Sequence, residues 1–214
     1  MKVRRTERET ERLEAFSDGV FAFAITLLVL NLYDPTTRGS SSLFRGLLDE
    51  WPAFFAFFAS FVLILVMWIN HHNMFNYIKR LSREFMLLNG ILLMFIVLIP
   101  FTTLLASQHL TKSDANVAAA VYCLAYLALA IVWNITWHNA SHHHNLIDEN
   151  IPQSQIQRIT REDLVAPIIG GVSVVLAFII PIASIALILA MAIFYGITVT
   201  GGERFSRGSS FNQF

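Results

Sequence analysis

The sequence is poor in cysteine and in charge. Cys123 is the only cysteine among 214 residues, so an intramolecular disulfide is excluded. Charged residues make up 14% of the chain, whereas an ordinary soluble domain contains about 25%. The formal net charge is zero, which gives no reason to expect a nucleic-acid partner. With 55% hydrophobic residues, the composition is that of an integral membrane protein.

Apolar segments separated by polar connections predict an all-α membrane protein with six transmembrane helices in one domain, residues 1–214. The last apolar stretch, 164–199, contains no charged residue and is too long for a single span. Pro181 near its middle predicts two helices joined by a tight turn. The predicted spans cover residues 16–32, 51–69, 85–107, 117–137, 164–179 and 182–199.

Lysine and arginine are concentrated on one side of these spans. With a cytoplasmic N-terminus, the segments that face the cytoplasm carry twelve of these residues and the outside loops carry three. Basic residues favour the cytoplasmic side of a membrane protein. The sequence therefore predicts a multi-pass protein of the plasma membrane with both termini in the cytoplasm.

Several polar residues of the first three spans lie at one depth in this topology: Ser17, Asp18, Trp68, His71 and Asn89. A carboxylate at the mouth of an apolar helix is costly without hydrogen-bond donors. We therefore expect Asp18 to accept hydrogen bonds from these side chains, with Arg12 adding an opposite charge, and to have a structural role. A Ser-Asp pair that only caps a helix start is the alternative.

The start of the first span carries a longer motif. Arg12-xxx-Phe16-Ser17-Asp18-Gly19 followed by VFAFAITLLVL resembles the RxxxFSDG motif of the transmembrane protein 175 family, the lysosomal potassium channel and its bacterial relatives. Weaker similarities follow at Trp68-xx-His71, Leu87-Leu88-Asn89, Pro100 and Pro181. The resemblance extends over essentially all six spans. It implies a structural network of Arg12, Phe16, Ser17, Asp18, Gly19, Trp68, His71 and Asn89.

The resemblance implies a potassium-permeable channel whose single-unit chains assemble as homotetramers around the first helix. Potassium ions, the lipid bilayer and further copies of the chain are then the partners, and no cofactor or metal is implied. The sequence has no TVGYG-type segment, which excludes a filter of backbone carbonyl rings of that kind. Because FSDG occurs once, a central pore requires symmetry copies.

One face of the first span carries the predicted pore-lining residues. Gly19, Phe23, Thr26 and Leu30 recur at steps of four, three and four, with Leu27 beside them. Periodicity alone favours ordinary lipid-facing or interhelical packing for this face, whereas the family resemblance favours a pore lining. On a symmetry axis this face would form apolar rings with one ring of hydroxyls, and such constrictions can gate by dewetting. The family usually has isoleucine at the narrowest point, where this sequence has Phe23.

Two other functions are compatible with a polytopic protein. An ion- or proton-coupled transporter usually keeps ionisable residues or broken helices near the midplane, and the spans have neither. A membrane metalloenzyme could use the histidines on the cytoplasmic side, His71, His72, His138, His142, His143 and His144. Loop and interfacial histidines without a metal are the simpler interpretation, and we expect no enzymatic activity.

Overall fold

The computed structural model describes the backbone of residues 2–32, 42–143 and 146–208, and the side chains of residues 8–32, 42–142 and 146–197. The α-helices within these residues are α1 Lys2–Leu27, α2 Leu43–Asp49, α3 Trp51–Tyr77, α4 Arg83–His109, α5 Ala115–His138, α6 Gln153–Asp163, α7 Val165–Ala177 and α8 Pro181–Gly208. The prediction of an all-α fold is confirmed.

Four of the helical segments are long and apolar enough to cross a membrane: Arg8–Asn31, Trp51–Tyr77, Arg83–His109 and Ala115–His142. The two predicted spans at the C-terminal end correspond to α7 and α8. The 13 residues of α7 extend about 20 Å at 1.5 Å per residue, less than a hydrocarbon core of about 30 Å. The chain is therefore a multi-pass helical membrane protein, and the count of six spans stays a prediction.

The helix α5 lies at the centre of the bundle and packs against α4, α7 and α8, while α1 packs against α3 and α4. Small side chains make the central contacts close, because alanine and glycine let helix backbones approach each other. The buried alanines of α5 are Ala118, Ala119, Ala120, Ala125 and Ala130. Because α1 packs on the side of α3 and α4, its opposite face lies outside the bundle.

The helix α3 continues to Tyr77, eight residues beyond the predicted end of the second span. Packing explains the difference, since His71 and Phe75 are buried in the bundle and hold the polar segment in helical form. The chain after α3 then forms an antiparallel bridge between Ile78 and Ile147. The two polar connections that the sequence places on the cytoplasmic side are thereby joined.

Two segments outside the predicted spans, 33–50 and 200–214, also contain helical residues. Residues 33–41 lie outside the described residues, and Leu43–Asp49 forms the short helix α2. The helix α8 begins at Pro181, where the sequence predicts a turn, and continues to Gly208. Proline suits a helix start because its missing N–H has no partner there in any case.

We expect Gly170 to tolerate no larger side chain, because α7 approaches α5 closely there. A Cβ at Gly170 would lie 3.2 Å from the Cα of Leu127, whereas a Cβ at Gly171 would meet nothing within 4 Å. Gly170→Leu should therefore cost about 1–3 kcal/mol of stability through overpacking. Thermal denaturation of the purified protein should show a lower midpoint for Gly170→Leu than for its matched control, Gly171→Leu. Equal midpoints would contradict the close approach.

Candidate functional site

A chain of hydrogen bonds joins α1, α4 and α3 around Asn89. The Asn89 Nδ2 donates to Ser17 Oγ at 3.0 Å, and Ser17 Oγ donates to the carbonyl of Leu13 at 2.9 Å. His71 Nε2 lies 2.9 Å from Asn89 Oδ1, and because an amide oxygen only accepts, His71 is the donor. Ser17, His71 and Asn89 are all 0% exposed. Three helices are thus held together by one buried polar chain.

The ring of His71 is held by aromatic neighbours as well as by Asn89. Its centroid lies 5.2 Å from that of Phe21 on α1 and 4.8 Å from that of Phe75. Among the described side chains and backbone, the buried His71 Nδ1 has no hydrogen-bond partner. Because the ring proton is on Nε2, the unpaired Nδ1 is a hydrogen-bond acceptor and not a donor.

Asp18 belongs to a second, more exposed contact between α1 and α3. Its Oδ1 accepts a hydrogen bond of 2.9 Å from Trp68 Nε1. The Trp68 indole stacks on the ring of His72 with centroids 6.3 Å apart, and His72 Nδ1 lies 2.8 Å from Glu14 Oε1. Arg12 is exposed. Among the ion pairs of the described side chains, none joins Arg12 to Asp18.

The predicted network therefore separates into parts. Ser17 is bonded to Asn89, and Asp18 to Trp68. Phe16 is 63% exposed, and a Cβ at Gly19 would meet nothing within 4 Å. Ser17, His71 and Asn89 form the buried chain, Asp18 and Trp68 form the outer contact, and Arg12, Phe16 and Gly19 lie on the exposed side of α1.

The helix α1 has one packed face and one exposed face. Phe21, Ala24 and Leu28 are buried against the bundle. On the other face Phe23 is 60% exposed and Leu30 is 66% exposed. Of the other residues predicted to line a pore, Thr26 is exposed and Leu27 is half-buried, and Gly19 on the same face is exposed. The face predicted from helical spacing is thus the face that the described part of the chain leaves uncovered.

The far end of α1 is attached to α4 by a residue that the sequence analysis missed. After Leu27 the chain tightens into a 3-10 turn, Leu28–Asn31. Asn31 Nδ2 donates to the carbonyl oxygen of Pro100 at 2.9 Å, and both residues are buried. A lone asparagine at the end of an apolar run is the signal that could have indicated this contact, because amides at membrane depth require partners.

A second missed feature is a chain of buried hydroxyls between α3, α4 and α5. Ser60 Oγ lies 2.6 Å from Thr103 Oγ1 and 3.1 Å from the Tyr122 hydroxyl. Thr103 donates to the carbonyl of Ile99 at 2.7 Å, so the donors run from Tyr122 through Ser60 to Thr103. Isolated hydroxyls in apolar helices form such interhelical contacts.

The histidines do not form a metal site within the described side chains. No group of three or more histidine, cysteine, aspartate or glutamate residues there could hold a metal ion. His138 and His142 stack with ring centroids 4.4 Å apart, and His109 pairs with Asp114 at 2.7 Å. The side chains of His143 and His144 lie outside the described residues.

The comparisons with known proteins agree on one family. The sequence model described as endosomal/lysosomal potassium channel TMEM175 matches residues 12–100. A curated potassium channel of Chamaesiphon minutus is 39% identical over 193 residues, which cover 89% of this chain and 95% of the relative. A potassium channel of Streptomyces collinus is 36% identical and covers 88% of this chain and 92% of the relative.

Longer relatives and a solved structure extend the comparison. The human endosomal/lysosomal proton channel TMEM175 is 34% identical over 136 residues, which cover 58% of this chain and 27% of the human protein. The crystal structure of a lysosomal potassium-selective channel TMEM175 homolog from Chamaesiphon minutus has a TM-score of 0.81 and 38% identity, covering 89% of this chain and 98% of that one. The chain therefore belongs to the TMEM175 family of ion channels.

Proposed function

We propose that four copies of this chain form a potassium-permeable cation channel whose pore is lined by α1. The observation that carries the proposal is the uncovered face of α1. Only 22% of the most apolar window of this helix is buried within the chain, against 44% to 50% in the other three long helices. Close relatives that share most of the chain's length are named potassium channels.

The packing of α1 supports a place on a symmetry axis. The opposite face of the helix is held by Ser17 near one end and by Asn31 near the other, through hydrogen bonds to α4. These contacts fix the rotation of α1 about its own axis. Phe23 and Leu30 then face away from the bundle in every copy, and closed rotational symmetry brings identical faces together.

The chemistry of this face fits a hydrophobic constriction followed by acceptor oxygens. The hydroxyl of Thr26 donates to the carbonyl of Phe23 at 2.8 Å, so its proton is occupied within α1. The lone pairs of Thr26 Oγ1 remain available to a cation. Phe23 offers no lone pairs, and a ring of four such side chains would be dry when closed.

We further propose that the protein lies in the plasma membrane with both termini in the cytoplasm. The asymmetry of lysine and arginine supports this orientation, because basic residues are retained on the cytoplasmic side. It also places the Ser17–Asn89–His71 chain at the cytoplasmic end of the pore helix. The proposal of six spans in one domain follows from the same topology.

Two measurements test the proposal together. The mass of the purified protein in mild detergent should correspond to four chains of 24.2 kDa, and liposomes containing it should release potassium down a gradient. Monomers or dimers in several detergents would contradict the pore around α1. Tetramers that pass no monovalent cation would contradict the channel.

Proton flux belongs in the same assay, because vertebrate relatives are named proton channels. A pH-sensitive dye inside the liposomes measures it under an imposed pH gradient. Proton entry with no potassium release would assign this chain the activity for which the vertebrate relatives are named. Potassium release that exceeds proton entry supports the proposal made here.

A further inference from the structure

A cavity lies between α3, α5, α7 and α8, away from the exposed face of α1. It has a volume of about 40 Å³ and is open on one side. A single water molecule needs about 10–15 Å³ on the same measure, so the enclosed part has room for a small group of atoms. The α3 residues that line it are Leu63, Val66, Met67 and Asn70.

The wall of the cavity is mainly apolar and aromatic, and one of its residues is acidic. Met67, Tyr126, Trp133 and Met191 belong to the wall. Asp163, the last residue of α6, supplies its only carboxylate. A carboxylate facing such a wall is poorly solvated, and its charged form requires donors or a countercharge.

The described side chains supply Asp163 with a hydrogen-bond donor but with no ion-pair partner. Trp133 Nε1 donates to Asp163 Oδ2 at 3.0 Å. No ion pair between Asp163 and a lysine, arginine or histidine exists among the described side chains. The charge that acts on the Asp163 carboxylate is that of Glu162, which is also negative. The cavity is therefore an anionic site in an apolar surrounding.

We propose that this cavity binds an organic ammonium ion, whose nitrogen contacts the Asp163 carboxylate and whose carbon stem packs on the apolar wall. Aromatic side chains such as Trp133 also attract cations. Pockets that combine an apolar wall with few polar groups are typical of small-molecule sites. The proposal does not depend on ion conduction, because it concerns binding within one copy of the chain.

A bare potassium ion fits the cavity less well than an ammonium group. A dehydrated inorganic cation needs many oxygen ligands in place of its hydration shell. Besides Asp163, the lining offers the amide of Asn70 and two tyrosine hydroxyls. The Tyr126 hydroxyl donates to the sulfur of Met191, and that of Tyr195 donates to the carbonyl of Glu162, so these oxygens add at most two further ligands. An alkylammonium needs fewer oxygens, because its stem gains from the apolar wall.

The protonation of Asp163 gives the site a dependence on pH. Burial raises the pKa of Asp163 from 3.8 to about 6; the charge of Glu162 acts in the same direction and the Trp133 hydrogen bond opposes it. Glu162 itself pairs with Arg158 at 2.7 Å. Tyr126 and Tyr195 are the other titratable residues that line the site. The carboxylate is therefore charged at pH 7.5 and mostly neutral at pH 5, while an alkylammonium stays charged throughout.

The test uses n-propylammonium as the probe and the purified full-length protein in maltoside micelles, which contain no amine. Saturation-transfer NMR should show that n-propylammonium binds. Neither potassium ions nor 1-propanol should displace it. Asp163→Asn keeps an acceptor for Trp133 Nε1 but removes the charge, and it should weaken binding about 10- to 100-fold. Binding that is unchanged in Asp163→Asn, or equally strong for 1-propanol, would overturn the proposal.

Two further arms keep the test independent of that variant. In the wild type, affinity should fall about tenfold between pH 7 and pH 5 as the carboxylate is protonated; a constant affinity would contradict the role of Asp163. Addition of phosphatidylethanolamine to the micelles identifies the source of the amine. Displacement of the probe indicates a lipid headgroup as the occupant, and undiminished probe binding indicates a free amine.

Discussion

Phe23→Ala is expected to raise potassium flux by about tenfold or more and to weaken the preference for potassium over sodium. Four Phe23 rings form the narrowest apolar level of the proposed pore, and truncation widens and hydrates that level. A barrier reduction of about 1.4 kcal/mol is sufficient for a tenfold rate increase. Flux from liposomes under opposed potassium and sodium gradients measures both quantities in one preparation.

Phe58→Ala is the matched control for this change. Phe58 lies on α3 with 59% of its surface exposed, close to the 60% of Phe23, but it is not on the face of α1. Its truncation should leave flux and selectivity unchanged. Equal effects of Phe23→Ala and Phe58→Ala would mean that the exposed face of α1 does not line the conduction path.

Thr26→Val tests the next level of the same face. Valine keeps the shape of threonine but removes the oxygen whose lone pairs face the proposed pore, so potassium flux should fall while tetramer content changes little. The variant also removes the Thr26 hydrogen bond to Phe23, which is local to α1. A flux equal to that of the wild type would exclude contact between this hydroxyl and the permeating ion.

Asn89→Leu is expected to reduce the yield of folded tetramer severely. Leucine has a similar size but leaves His71 Nε2–H without its acceptor and Ser17 Oγ without its donor. An unsatisfied buried polar group costs about 1–3 kcal/mol, so the two losses amount to a large part of the stability of a small domain. Size-exclusion chromatography of the detergent extract measures the tetramer fraction.

A double-mutant cycle separates this network effect from a simple loss of packing. Ser17→Ala and Asn89→Leu remove the two partners of one hydrogen bond, so their combined cost should be smaller than the sum of the single costs. Strictly additive losses would show that the bond does not couple α1 to α4. Asp18→Asn should have a smaller effect than Asn89→Leu, because the asparagine oxygen can still accept from Trp68.

The class of protein and the exposed face of α1 could be predicted from the sequence. Low charge and long apolar runs predict helices that lie in a lipid bilayer, because a helix in lipid satisfies its own backbone hydrogen bonds. The positions of Gly19, Phe23, Thr26 and Leu30 on one face follow from helical periodicity, which is a local property of the chain. The RxxxFSDG motif is also a local property, since its residues follow one another in the chain, and it could therefore indicate the family.

The sequence predicted which polar side chains lie at one depth, and the tertiary structure decided which of them bond to one another. Asp18 was expected at the centre of the network, yet the buried chain runs through Ser17 and Asn89, and Asp18 meets only the Trp68 indole in the described contacts. Neighbouring residues on a helix point about 100° apart, so the rotation of α1 against the bundle selects which of the pair is buried.

The contacts between distant segments could not be predicted from the sequence either. The bond from Asn31 to Pro100, the hydroxyl chain around Ser60 and the cavity beside Asp163 each join residues from different helices. Periodicity describes one helix at a time, whereas these features depend on how far helices approach each other. Small side chains such as Gly170 set that approach, and only the packed bundle shows which of them lie at a contact.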